Sequence, residues 1–154
     1  MSYLYHGSGV NIRGKYLRPF KPGDISHKDN GLLAVYATDR KRIAIGMSLT
    51  RDDGTKSMAN YDEKKFQVTF IEGEPRRKKR YVYTIARAGF IQTPAGGRQW
   101  TSPKPAKILK KDVYDTADLG QYWRKSTKRD RARYAKAKRL EATRKSRPSR
   151  RATA

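Results

Sequence analysis

Tyr3-Leu4-Tyr5-His6-Gly7-Ser8 is the stretch on which the reading of this chain turns. Aromatic and aliphatic residues in succession favour a half-buried strand. At its end that strand delivers an imidazole, a residue without a Cβ and a hydroxyl in consecutive positions, so polar groups and bare backbone meet at one place. A second strand-like run, Leu33-Ala34-Val35-Tyr36-Ala37-Thr38, places Tyr36 thirty residues after His6 and leads directly into a helix. The two strand ends are expected to share one rim. There the Tyr36 ring stacks on a polar heteroaromatic ligand and the Gly7 backbone bonds its polar edge. Taken singly, each residue has a packing alternative: a lone His near an N-terminus is ordinarily a surface group, and one Tyr among ten is ordinarily cross-strand packing.

Outward from these runs, hydrophobic period and turn punctuation place strands at residues 3–5, 16–17, 33–37, 66–71, 81–86 and 106–109. A short helix follows Thr38-Asp39, either of which is expected to cap it, with Ile43, Ala44 and Met47 on one face and an end near Thr50. Residues 51–60 are polar with a Gly turn, and 76–80 are a basic run ahead of the next strand; both read as exposed loops. Residues 93–97 read as a loop, Gln99-Trp100 as either a loop anchor or site residues, and His27 as an exposed loop residue. Pro103 and Pro105 withhold backbone donors around Lys104, so regular structure resumes at Ala106.

Composition bounds what this body does. The 154 residues suffice for one domain with an apolar core and some remainder. Absence of cysteine excludes disulfides, thiolate nucleophiles and cysteine metal sites, and two histidines argue against a histidine metal centre. No apolar run reaches the ~18–20 residues of a membrane span, and the first residues lack the pattern of a signal peptide, so a cytoplasmic protein is expected.

The charge is uneven. Lys and Arg total 37 against 14 acids, a net +23, and residues 121–154 alone hold 14 Lys/Arg with only Asp130 and Glu141. Two units follow: a body over 1–120 and a basic C-terminal arm over 121–154. Residues 126–146 favour helix, Thr127 and Asp130 have near capping-box spacing, and Ala132, Ala135, Leu140 and Ala142 are too small and scattered to dock the helix firmly. Residues 146–154 are expected to be disordered. Arg124, Lys125, Lys128, Arg129, Arg131, Arg133, Lys136, Lys138 and Arg139 are the candidate nucleic-acid contacts, with Tyr122, Trp123 and Tyr134 available to stack on bases. No groove-reading motif is present, so such binding is backbone-driven and salt-sensitive.

The His-Gly-Ser strand, the Tyr-x-Thr strand and the Ala/Met helix, about residues 3–50, resemble the first two motif regions of the ADP-ribosyltransferase superfamily. The type is that of small bacterial rifamycin-modifying transferases and the catalytic domains of poly(ADP-ribose) polymerases. The resemblance implies NAD as cofactor, with His6 bonding a ribose, Gly7 fixing the carboxamide, Tyr36 stacking on nicotinamide, and Ser8 and Thr38 supporting the pocket. It implies loss of nicotinamide through an oxocarbenium-like state and capture by an acceptor, with stabilisation of the developing charge as the large contribution. The family pattern often adds a Glu on a later strand. Gln99 stands at the best-placed position and can bond ribose without acting as a base; Glu72 and Glu74 are the fallback carboxylates.

The expected fold is therefore α+β, a small, mostly antiparallel two-sheet body with few helices and a basic helical or disordered C-terminal arm. The expected function is an NAD-dependent mono-ADP-ribosyltransferase-like protein, bacterial or phage-borne, brought by its arm to nucleic acid or to a nucleic-acid-bound protein. A non-enzymatic nucleic-acid-binding module is the alternative. An RNA 2′-phosphotransferase, which has a related NAD pocket, ranks below both because its extra Arg and His motifs are not recognisable.

Overall fold

The computed structural model describes residues 2–20, 33–61, 66–93 and 98–146. His27, residues 94–97 of the expected loop and residues 147–154 of the expected disordered tail lie outside these. The described chain forms β1 (Tyr3–Ser8), β2 (Tyr16–Leu17), β3 (Val35–Thr38), α1 (Lys41–Met47), β4 (Lys56–Tyr61), β5 (Phe66–Glu72), β6 (Lys79–Ala86) and β7 (Ile91–Gln92). It continues through β8 (Gln99–Ser102), β9 (Ala106–Asp115), a 3-10 segment (Thr116–Tyr122), β10 (Trp123–Lys125) and α2 (Lys128–Ser146). The class is α+β. A seven-stranded sheet runs β2-β9-β6-β1-β3-β8-β7 and a three-stranded sheet β10-β5-β4. All pairings are antiparallel except that of β10 with β5. Among the described residues no helix is long and apolar enough to cross a membrane.

Alternation along the strands separates two cores. Leu4, Val35, Ala37, Tyr83, Ile85 and Trp100 belong to one, with Leu17. Val82 belongs to the other, with Ala44, Ile45 and Leu49 from α1 and its C-terminal turn, Phe66, Val68 and Phe70 of β5, and Leu119. Helix α1 is wedged tightly between the sheets. A Cβ on Gly7 would lie 1.8 Å from the Ala44 carbonyl oxygen, and one on Gly46 would lie 2.2 Å from the Phe66 ring. Glycine at both positions is thus a packing requirement.

One buried ion pair ties these elements together. The Arg80 side chain, at the start of β6, is fully buried and donates to both Asp52 carboxylate oxygens at 2.8 and 2.5 Å. It also donates to the Ser48 carbonyl after α1, to the Arg77 carbonyl and to the Thr116 hydroxyl. Asp52 in turn accepts the backbone N–H groups of Arg76 and Arg77. Burial alone would raise the Asp52 pKa, but the Arg80 hydrogen bonds and the two backbone donors outweigh it and hold the carboxyl below its usual value.

Several expectations need correction. The basic run 76–80 is not uniformly exposed, because its last residue is the buried partner of Asp52. Residues 51–60 are not all loop: Asp52 is buried and β4 begins at Lys56, paired along β5. Helix α1 has Arg40 at its N-cap and no side-chain cap; Thr38 Oγ1 accepts the Arg40 N–H from two residues away. Strand β9 runs well past Leu109 because residues 110–115 stay paired along β6; Asp112 also pairs with Lys41 of α1 at 2.8 Å and Tyr114 packs on the core. The restart at Ala106 after the two prolines is as expected. Residues 121–125 belong to the body: Tyr122 and Trp123 pack on the core formed by α1, β5 and Val82, Trp123 edge-on to Phe70 at 5.5 Å. Their rings are thereby engaged in packing rather than presented for base stacking.

Candidate functional site

Three neighbouring strands bring the first expected residues to one place. In the β1–β3–β8 pairing Thr38 lies opposite both Tyr5 and Gln99, and Tyr36 opposite Thr101. Because facing residues share a side, Tyr36, Thr38 and Gln99 are on one face, while Ala37 and Trp100 turn to the core behind. His6, Gly7, Ser8, Tyr36, Thr38 and Gln99 all line a single cavity of about 460 Å³, a size typical of small-molecule sites. The fallback carboxylates do not: Glu72 is exposed near Lys56, and Glu74 is exposed near Lys125.

His6 has a fixed tautomer. Its Nδ1 lies 2.6 Å from the Tyr36 carbonyl oxygen, which only accepts, so Nδ1 carries the proton and Nε2 keeps its lone pair. Burial lowers the His6 pKa, the Tyr36 carbonyl works in the opposite direction, and the nearby Arg51 charge lowers it further. A neutral imidazole with an accepting nitrogen results, suited to a ligand hydroxyl. Ser8 Oγ accepts the Val10 N–H, which shapes the loop at the end of β1. Gly7 contributes backbone to the cavity, and its missing Cβ is first a demand of the α1 contact.

The cavity holds residues that the sequence did not single out. Phe20, whose backbone bridges to Ala34, meets the His6 and Tyr36 rings edge-on at 5.8 Å each. The Arg51 guanidinium lies 4.6 Å from the Phe20 ring centroid, and Arg51 itself is held at φ 72, a cost for a residue with a Cβ. Pro19-Phe20 ahead of a polar stretch was the available signal for a ring at the rim. Arg98, beside Gln99, reaches Asp39 at 3.2 Å. Cationic Arg51, Lys56, Arg77, Arg98 and Lys138 line the cavity, and none of its described lining residues is Asp or Glu.

Helix α2 returns to this site. Its N-terminus is a reciprocal box: Asp130 Oδ2 accepts the Thr127 N–H at 2.8 Å, and Thr127 Oγ1 accepts the Asp130 N–H at 3.2 Å. Arg124 forms a bidentate pair with Asp130 at 2.6 and 3.1 Å, and the two, with Thr127, hold the Asp130 carboxyl far below the usual range. Arg124 is therefore engaged within the protein. Asp130, Tyr134, Ala137 and Glu141 are the less exposed positions of α2, at the spacing of one helix face. From this side Tyr134 and Lys138 reach the cavity. Lys128, Arg129, Arg131, Arg133, Lys136 and Arg139 stay exposed; Arg131 with Lys125 also borders a second, polar hollow beside Glu74. Comparison with protein-family models, curated proteins and solved structures finds no match to this chain.

Proposed function

We propose that the cleft binds NAD and that the chain is an NAD-dependent ADP-ribosyltransferase-like protein whose basic C-terminal segment engages nucleic acid. The observation that carries the reading is the convergence of His6, Tyr36 and Gln99, from three adjacent strands, on one cavity. Neutral His6 Nε2 accepts a ribose hydroxyl, the Tyr36 ring covers the nicotinamide face, and the Gly7 backbone takes the carboxamide. The Gln99 amide bonds the second ribose hydroxyl. The cations along the wall face the pyrophosphate, where paired negative charge is concentrated.

The chemistry this supports is loss of nicotinamide from a ribose held on both sides. Gln99 supplies a dipole where a carboxylate would supply a full charge, so the intrinsic rate of nicotinamide loss is low. Calorimetric titration with NAD, paired with detection of released nicotinamide, tests the proposal. Binding in the micromolar range that weakens at least tenfold in His6→Ala and Tyr36→Ala is the expected result. No heat and no nicotinamide, with both variants indistinguishable from the parent, overturns it.

A further inference from the structure

We infer that the open side of the seven-stranded sheet, across β2, β9, β6 and β1, is a platform for single-stranded nucleic acid, on which the rings of Tyr3 and Tyr16 stack against bases. This surface is separate from the cleft and does not depend on what the cleft binds. Alternation along the strands fixes where the two rings point. Leu4 of β1 and Ile85 of β6 belong to the core that also holds Leu17. Their neighbours Tyr3 and Ala86, which lie opposite one another, therefore face the other way. On β2, Leu17 is buried and Tyr16 faces out opposite Lys107. Ile108 pairs with Ile85, which brings Lys107 alongside Ala86.

Tyr16, Lys107, Ala86 and Tyr3 thus form one row across four strands. Tyr16 is 51% exposed and Tyr3 42%, and among the described residues neither ring meets another ring. Packing does not account for them, since the gain from a tyrosine comes from burying its ring, and much of each stays in water. The row covers three inter-strand steps of about 4.8 Å, roughly 14 Å, and Ala86 raises almost nothing above the sheet between its ends. A sheet face carrying aromatic rings on this scale takes up two or three unstacked bases. Such stacking tolerates any sequence, because every base has a flat face.

The charge on this side suits phosphates. Lys107 is exposed and has no ion-pair partner among the described residues. Lys110, opposite Thr84 on the same side, is exposed and shares Asp112 with Lys41. Phosphates running between two stacked bases therefore meet lysine on β9. The rings of Tyr122 and Trp123 are taken up in packing and Tyr134 lines the cleft, so the outer side of α2 holds a polyanion by charge alone. The sheet adds what distinguishes an open strand from a duplex, whose bases are already stacked on one another. An acidic protein would satisfy the lysines but leave the rings unused.

The experiment titrates the full chain, by fluorescence anisotropy over a salt series, into a short labelled oligonucleotide offered as a single strand or as a duplex. The doubly substituted Tyr3→Ala, Tyr16→Ala variant should bind the single strand about tenfold or more weakly, with its salt slope unchanged. The Tyr3→Phe, Tyr16→Phe variant keeps the rings and the affinity, and duplex binding is the same in all three. Single-strand affinity unchanged in the Ala variant, an equal loss for the duplex, or a polyglutamate peptide whose binding falls with the same substitutions overturns the inference. No binding of either nucleic acid overturns it together with the role given to the basic segment. A second measurement needs no variant: photo-crosslinking the parent to a single strand bearing 5-bromouracil and mapping the peptides. Cross-links on the peptides that carry Tyr3 or Tyr16 are expected, and cross-links confined to α2 overturn the platform.

Discussion

Replacing Asp52 by Asn tests the physical account of how the cleft is held. The substitution keeps shape and removes charge. In the folded protein Asp52 receives two hydrogen bonds from the fully buried Arg80 and two from the backbone N–H groups of Arg76 and Arg77. An amide in the same place keeps one acceptor oxygen and turns an NH2 group toward the donors at the other, so the Arg80 guanidinium loses one of its two bonds to residue 52 and the charge that balances it. Breaking a buried pair from one side costs about 3–5 kcal/mol. For a chain of this size that lowers Tm by roughly 10 °C. Because Arg51, the residue held at φ 72, directly precedes Asp52 and lines the cavity, NAD affinity falls as well. The measurement is urea unfolding of parent, Asp52→Asn, Arg80→Met and the double variant. A strong coupling appears as a double variant less destabilised than the two singles added together. The wild-type pair should also weaken in acid: the folded pKa of Asp52 is lowered, so its contribution is present above about pH 4 and is lost as pH falls through the folded value. A cost below ~1 kcal/mol for Asp52→Asn, or strictly additive singles, refutes the reasoning.

Gly7→Ala places a Cβ 1.8 Å from the Ala44 carbonyl, and since that atom is backbone the helix itself must move; a loss of about 3 kcal/mol or more is expected in chemical unfolding. His6 has a lowered folded pKa, so the unfolded chain takes up its proton first. Stability is constant above about pH 6.5 and declines below it. NAD affinity, a property of the folded chain, stays flat through that pH and falls only lower, as the folded imidazole gains a proton on Nε2, and a pH series of titrations on parent and His6→Gln separates this from other groups. Gln99→Glu puts a full negative charge beside the reacting ribose and should raise nicotinamide release at least tenfold, read by chromatography. Ending the chain before Tyr122 removes Tyr122 and Trp123 from the core around α1 and β5, and β10 from its sheet, whereas ending it after Lys125 keeps both; the first truncation lowers Tm far more than the second in a thermal melt.

What was legible in the sequence is what local chemistry decides. Strands β1 and β3 follow from aromatic and β-branched runs, α1 from its apolar spacing, and the Thr127–Asp130 box from two side chains three residues apart. What stayed hidden depends on partners distant along the chain. Arg80 ends a run of five basic residues, and nothing near it reveals Asp52, 28 residues upstream, as the group that carries it inside. Strands β4 and β8 are short and polar, Lys-Ser-Met-Ala-Asn-Tyr and Gln-Trp-Thr-Ser, and are made strands by the neighbours that pair with them. The return of α2 to the cleft was invisible for a similar reason. The face it lays down carries Asp130, Tyr134, Ala137 and Glu141, which has no apolar stripe for a periodicity argument to find.

That return changes what the positive charge is for. Had the basic segment stood apart from the body, its role would end at attracting a polyanion, and the chemistry of the cleft would be indifferent to it. With Tyr134 and Lys138 in the cavity wall, occupancy of α2 and of the cleft draw on the same side chains. In the proposed reaction, a strand neutralising the outer cations lowers the positive potential at the cavity mouth, which eases formation of a cationic centre inside it. On that reading a strand on α2 would assist the cleft, and nicotinamide release should rise when nucleic acid is added.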